Sequence, residues 1–285
     1  MGTAKRERQK TNRQQRLEEL QRQQRRDRTK RRVITWAIIL VVAGAALYGV
    51  SLLVSGGDDN DTATSATSVA STTPATTVFQ PTTVPGAAIT GTTPCPNADG
   101  TSARTISFAE PPPMCIDAAK KYSANVVTSK GEFTVDLDAS KAPETVNNFV
   151  VLSRYHYYDG VLCHRIMTSF VVQCGDPTGT GSGPNPGYTL PDELPAQGAY
   201  VDGSMAMANT GAPNSGGSQF FIITGEQGRN LPPTYSLFGQ VSQGFDTTVR
   251  AMEAAAGPPS SGPNDPGGVP TAEPIFLESV TITEA

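Results

Sequence analysis

"CHRIMTSFVVQCGDPTGTG" (residues 163–181) gathers one of the chain's two histidines, two of its four cysteines, a lone arginine and a glycine-rich tail. "CHRIM" and "FVVQC" read as two short β-strands joined at Thr168-Ser169. The stretch sets a cation beside an apolar run and a flexible loop, yet holds no obvious nucleophile, base or metal cluster. Reactions that break bonds leave such groups behind. A site of this composition points to work on conformation.

The same pattern continues outward. "KYSANVVTSKGEFTVDLD" gives two strands around a Lys130-Gly131 turn, the second alternating with Phe133, Val135 and Leu137 on one face. "APETVNNFVVLSR" predicts a helix with Pro143 in its first turn and Val146, Phe149, Val150 and Ser153 along one stripe. Strand-like pieces recur at "SMAMAN", "SQFFIIT", "SLFGQV" and "IFLESVTIT". "DTTVRAMEAAA" predicts a second helix ended by Gly257. Many short strands with two helices argue for a mainly-β barrel or sandwich capped by helices. Residues 121–285 are long enough for one sizeable core.

The net charge of −4 over 285 residues conceals a split. Residues 1–32 carry 13 Lys/Arg against four acids, and the remainder is strongly acidic. Residues 33–54, "VITWAIILVVAGAALYGVSLLV", follow without a charge. As a helix they span roughly 33 Å, matching a hydrocarbon core of about 30 Å. A cleaved signal peptide is the rival reading, but the basic region and the apolar run are both too long for one. The expectation is a transmembrane signal-anchor helix with a basic cytoplasmic arm and the rest of the chain outside. The arm then sets topology and binds no nucleic acid. Residues 55–93, rich in Thr, Ser, Ala and Pro, read as a disordered tether.

All four cysteines (Cys95, Cys115, Cys163 and Cys174) follow the span, in a compartment where disulfides persist. Three connectivities are open. Proximity in sequence favours Cys95–Cys115 and Cys163–Cys174, with free buried thiols as the alternative. Their spacings are not those of a zinc site, and no metal or cofactor is expected. Residues 94–120 are read as a disulfide-containing segment ahead of the domain.

The usual chemistries find little support. A Ser-His-Asp site needs His164 beside a nucleophile, and no G-x-S-x-G elbow is present. His156 reads as a surface or packing residue. "GDPTGTGSGPNPG" lacks the Gly-Lys-Ser/Thr entry to a helix that a P-loop requires, so it reads as turns. Asp192-Glu193 reads as a solvated loop and not as a glycosidase carboxylate pair.

Three linked motifs together resemble the cyclophilin family of peptidyl-prolyl cis/trans isomerases. The family's F-H-R followed by G-F-x-x-Q-x-G-D appears as "CHRIMTSFVVQCGD". Its M-A-N-x-G-x-N-x-x-G-S-Q-F-F appears as "MANTGAPNSGGSQFF", one residue longer. Its V-F-G-x-V appears within "NLPPTYSLFGQV". The resemblance covers residues 121–285. It implies a closed eight-stranded antiparallel β-barrel with a helix at each end. It also implies catalytic Arg165 and Gln173, a proline pocket of Phe170, Val171, Phe221 and Leu231 with Tyr235 as aromatic cap, and Ala208, Asn209 and Gln219 on the peptide backbone. Cys163 stands where the family has phenylalanine, implying a cross-strand disulfide with Cys174 beneath the active face. Asn230 replaces the tryptophan of many eukaryotic members, implying weak cyclosporin binding.

That implied activity fits the residues. Rotating an X–Pro bond faces a barrier of about 18–20 kcal/mol from lost amide resonance. It breaks no covalent bond, so it needs no nucleophile or metal. The expected function is isomerisation of X–Pro bonds in unfolded or extracytoplasmic proteins, by a membrane-tethered monomer of bacterial, actinobacterial-like type. The alternative is a non-catalytic proline-peptide-binding chaperone or scaffold on the same fold.

Overall fold

The computed structural model describes residues 85–182, 186–256 and 273–285. Their elements are β1 (Ala87–Ile89), β2 (Thr105–Phe108), β3 (Tyr122–Thr128), β4 (Gly131–Leu137), α1 (Pro143–Arg154), β5 (Val161–Leu162), β6 (Arg165–Met167), β7 (Val171–Cys174), β8 (Ser204–Met207), β9 (Phe220–Ile223), α2 (Glu226–Arg229) and β10 (Leu237–Gln243). A π-helical turn, Phe245–Val249, then leads into α3 (Arg250–Ala254), and β11 (Phe276–Glu284) follows. The expected basic arm, membrane span and most of the tether lie outside the described residues. No helix among the described residues is long and apolar enough to cross a membrane.

Period-two alternation builds the sheet. Ala124 and Val126 of β3, with Phe133 and Val135 of β4, turn to one face and are fully or almost fully buried. The hairpin closes at Gly131, whose φ of +115° favours glycine. The Thr128 hydroxyl donates to the Gly131 carbonyl at 2.8 Å. Nine strands join antiparallel in the order β5-β11-β3-β4-β10-β8-β9-β7-β6. The two outermost members, β5 and β6, are separated in the chain only by Cys163-His164. The sheet therefore curls until its ends meet in one stretch of backbone. The expected eight-stranded closed barrel is thus a curled nine-stranded sheet, because residues 163–164 interrupt the strand that pairs β11 through Leu162 and β7 through Arg165.

Helix α1 packs into the main core, with Val146, Phe149, Val150, Val151 and Leu152 fully buried. Phe149 packs against Tyr158, Phe220 and Phe238, with ring centroids 5.2–5.6 Å apart. The sequence stripe predicted one buried face, but every residue from Thr145 to Arg154 is buried. Two chain segments cover the remainder. The Asn147 side chain accepts from the Cys115 backbone N–H at 2.7 Å and donates to the Pro113 carbonyl at 2.9 Å. Glu193, expected in a solvated loop, instead caps the helix. Its carboxylate accepts from the N–H groups of Glu144 and Thr145 and from the Thr145 hydroxyl at 2.7–3.0 Å. A carboxylate there satisfies orphan donors and complements the helix dipole.

The second helix begins one residue before the predicted start, as the π turn, and α3 ends at Ala254. Its predicted stop at Gly257 lies outside the described residues. Gly244, in the left-handed region at φ +81°, lets the chain turn into it.

Residues ahead of the barrel are more ordered than their composition implies. Ala87–Ile89, inside the stretch read as a tether, pairs in parallel with β2. Phe108 and Ile116 join the main core, so residues 94–120 pack as part of the domain. The pairings Cys95–Cys115 and Cys163–Cys174 are both present as disulfides.

Candidate functional site

The outer face of the same alternation makes a second apolar surface. Along β6, β7, β8 and β9, Ile166, Val172, Cys174, Met205, Met207, Phe220 and Ile222 turn into the main core. The residues between them face the other way. Val171, Ala206, Phe221 and Ile223 form a separate buried cluster with Tyr200, and half-buried Phe170, Ala208, Leu231, Tyr235 and Leu237 pack around it. The result is a cup with a buried floor and a half-buried rim.

The sheet register aligns the polar residues beside this cup. Arg165 pairs across with Gln173, and Gln173 with Phe221. Arg165 Nη1 donates to Gln173 Oε1 at 3.2 Å. Its Cζ lies 5.3 Å from the centroid of the Phe170 ring. Gln173 Nε2 donates in turn to Gln219 Oε1 at 3.0 Å, and Gln219 Nε2 to the Gly181 carbonyl at 3.1 Å. A chain of three hydrogen bonds thus orients the half-exposed guanidinium at the lip of an apolar cup.

Phe170 owes its place to the turn before it. Ser169 takes the left-handed conformation at φ +59°. Its N–H donates to Glu253 Oε1 from α3 at 2.6 Å, and the Phe170 carbonyl accepts from the Thr224 N–H at 3.0 Å. On the opposite rim, Tyr235 meets Phe221 edge-on at 5.2 Å. The Tyr200 hydroxyl holds that rim from behind, donating to the Tyr235 carbonyl at 2.7 Å and accepting from its N–H at 3.1 Å. Burial pushes the Tyr200 phenol up to about 12, partly offset by that backbone hydrogen bond.

A groove of about 540 Å³ leads away from the cup. Gln173, Ala208, Asn209 and Gln219 form its near end, and Gly187, Tyr188 and Thr189 its far wall. The Asn209 side chain donates to the Thr234 carbonyl at 2.8 Å and accepts from the Gly211 N–H at 3.0 Å, which ties the two loops flanking the groove. His164 is buried under this region, its ring against Gly181. Burial lowers its pKa and neighbouring Arg165 adds to the effect, while Asp176 opposes it. A different concavity of about 770 Å³ lies between β3, β4 and β10. It carries ion pairs of Lys120 with Glu284 and Lys141 with Asp138, but neither the cup nor Arg165.

All ten residues singled out from the sequence for catalysis or substrate binding converge on the cup and its groove. Sequence reasoning missed Tyr200, Ala206, Ile223 and Leu237. The alternation within "SMAMAN" and "SQFFIIT" contained a signal for two of them, since Ala206 and Ile223 share a face with Ala208 and Phe221. His156 does pack, as expected, but against the N-terminal segment. Its Nε2 lies 2.8 Å from the Gly100 carbonyl and its Nδ1 2.9 Å from Asp159. Among the described residues no cluster of three or more His, Cys, Asp or Glu is placed to hold a metal.

An apolar cup, an oriented guanidinium at its lip and an adjoining groove suit a protein that grips a peptide and acts on its conformation. The family model described as cyclophilin type peptidyl-prolyl cis-trans isomerase matches residues 123–273. A peptidyl-prolyl cis-trans isomerase of Arabidopsis thaliana is 44% identical over 126 residues, covering 43% of this chain and 76% of that protein. The probable peptidyl-prolyl cis-trans isomerase B of Mycobacterium tuberculosis (strain ATCC 25618 / H37Rv) is 36% identical over 150 residues, 47% of each chain. Among solved structures, a cyclophilin type isomerase of Cryptosporidium parvum superposes with a TM-score of 0.50 at 30% identity, covering 57% of this chain and 98% of that one. The chain belongs to the cyclophilin-type peptidyl-prolyl cis-trans isomerase family.

Proposed function

We propose that the cup and Arg165 accelerate X–Pro isomerisation by binding the half-rotated amide more tightly than either planar isomer. Phe170, Val171, Phe221, Leu231 and Tyr235 hold the prolyl ring. The backbone of Ala208 and Asn209, with the Gln219 side chain, steadies the residues beside it. As the preceding carbonyl swings out of plane, resonance is lost and the prolyl nitrogen gains a lone pair. The Arg165 guanidinium donates a hydrogen bond to that nitrogen, an interaction absent in both ground states, so it lowers the barrier. Arginine suits the task because its planar fork stays charged while one arm is held by Gln173. The observation that carries the reading is this pairing of Arg165 with Gln173 at the lip of a preformed apolar cup. The test is a protease-coupled proline-peptide assay on the purified full-length chain. Turnover at the uncatalysed rate sinks the proposal.

The second part of the proposal concerns place. Residues 33–54 anchor the chain, the basic residues 1–32 remain inside, and the isomerase domain faces the extracytoplasmic side of a bacterial, actinobacterial-like envelope. Its clients there are secreted or unfolded polypeptides, met by a monomer. The charge asymmetry about residues 33–54 supports this orientation. So do two disulfides, which persist in oxidising compartments. Protease added to intact cells is expected to remove the domain, and full protection of it would refute the orientation.

A further inference from the structure

We propose that the segment ahead of the barrel is a working part of the peptide groove, with Phe108 as a positioning residue for its far wall. The proposal rests on the isomerase reading above. It concerns residues that lie before the family model's match, which starts at 123.

The connection runs through contacts on both the backbone and the side chain of Phe108. Its N–H donates to the Pro186 carbonyl at 3.1 Å. Its own carbonyl presses on Gly187, where an added Cβ would sit 2.1 Å from that oxygen. Gly187 also has φ +128°, so only glycine allows this approach. Thus β2 lies directly behind the groove wall of Gly187, Tyr188 and Thr189.

The Phe108 ring, 2% exposed, packs among three tyrosines. It meets Tyr155 edge-on at 5.5 Å, Tyr188 edge-on at 6.3 Å and Tyr157 at 6.4 Å. Two of these tyrosines position the groove. Tyr188 is part of its wall, and its hydroxyl donates to Asn148 Oδ1 at 2.6 Å. Asn148 Nδ2 donates to the Gly217 carbonyl at 2.8 Å. The Tyr157 hydroxyl lies 2.9 Å from the Ser218 hydroxyl, which donates to the Gly175 carbonyl at 2.8 Å. Gly217 and Ser218 line the groove immediately before Gln219. One ring therefore backs both the wall and the supports of the floor.

The segment is also anchored well enough to transmit position. The Thr105 N–H donates to the Tyr155 carbonyl at 2.9 Å, and the Tyr155 hydroxyl to the Pro94 carbonyl at 2.9 Å. The Cys95–Cys115 disulfide closes the loop that contains β2. A segment that served only to link the barrel to a tether needs none of these contacts with the groove wall.

The groove adjoins Ala208 and Asn209, which steady the residue before proline, so it receives substrate residues N-terminal to the X–Pro bond. Phe108 touches neither the cup nor Arg165. Its loss is expected to weaken recognition of long substrates and spare short ones. The experiment measures kcat/KM in the full-length chain for two blocked peptides. One has a single residue before proline, and the other carries three further residues on that side.

In Phe108→Leu, the long-to-short ratio of kcat/KM is expected to fall by about threefold or more, well under the hundredfold that a 1 Å misplacement can cost. The short peptide's turnover remains. Phe108→Ala is the stronger perturbation, and Phe108→Leu is the variant to rely on if alanine unfolds the domain. Partial unfolding lowers both values alike and leaves the ratio unchanged. An unchanged ratio in Phe108→Leu, whether both values hold or both fall together, overturns the proposal. The same ratio read as affinities by calorimetry needs no turnover, so a failure of the isomerase reading is distinguished from a failure of this one.

Discussion

Replacing Arg165 with alanine removes the only cation that contacts the cup's Phe170 ring among the described residues, while leaving the cup's walls in place. The magnitude follows from what the guanidinium does at each stage. With substrate planar, its loss costs the cation–π contact with Phe170, about 0.5–1 kcal/mol at a half-exposed site. That contact exists in ground and transition states alike and so cancels from the chemical step. With the amide half-rotated, a charge-assisted hydrogen bond to the prolyl nitrogen disappears. Losing one preorganised donor at a developing charge costs about 2.7–4 kcal/mol. At 1.36 kcal/mol per decade, kcat/KM should fall about 100-fold or more. KM should change little, because Val171, Phe221, Leu231 and Tyr235 still bind the ring. Arg165→Lys keeps the charge but loses the fork held by Gln173, so it should recover only part of the rate. The assay is protease-coupled isomerisation at low temperature, with peptide affinity measured separately by calorimetry. A kcat/KM for Arg165→Ala within a few-fold of the parent, with affinity intact, refutes electrostatic stabilisation by this residue.

Other consequences are smaller. Gln173→Leu frees one arm of the guanidinium and breaks the link to Gln219, so kcat/KM should drop about tenfold, the scale of a hydrogen bond to a charged group. Steady-state kinetics check it. Tyr200→Phe deletes the hydroxyl that brackets Tyr235 and should raise KM by about fivefold, equivalent to roughly 1 kcal/mol of lost rim order. The folded state keeps His164 neutral by burial, with Arg165 reinforcing and Asp176 opposing. The unfolded chain takes up the proton as pH falls below about 6.5, so this stability is present above that pH and lost below it. Calorimetry should show Tm falling more steeply between pH 6.5 and 5 than in His164→Gln. A thiol assay in denaturant should find no reactive cysteine before reduction. Removing either disulfide by paired Cys→Ala replacement should cost about 3 kcal/mol in chemical denaturation.

Much of this protein is written locally. Strand alternation placed Phe133, Val135 and Leu137 on one face, and proline and stripe placed α1, because those patterns depend on neighbours two to four residues apart. The cup residues were legible only through linked motifs, since an isolated Phe221 or Val171 reads as core. That ambiguity has a physical cause: β7, β8 and β9 are apolar on both faces, and composition does not say which face meets the main core and which makes the cup. The role of Glu193 was hidden because the helix it caps lies 48 residues away in sequence.

The N-terminal segment shows the division most sharply. The polar, Thr/Ser/Ala/Pro-rich composition of residues 55–93 signals a tether, and residues 94–120 read only as a disulfide-containing segment ahead of the domain, because neither can bury much apolar surface unaided. Here the barrel supplies the buried surface, so Phe108 and Ala87–Ile89 are ordered by partners far along the chain. The sequence alone determined that a cation, an apolar run and a flexible loop fall in one short stretch, and the resemblance carried by its linked motifs implied X–Pro isomerisation. Only the folded sheet decided that Arg165, Gln173 and Gln219 stand in one hydrogen-bonded row, since register between distant strands is a property of the closed core.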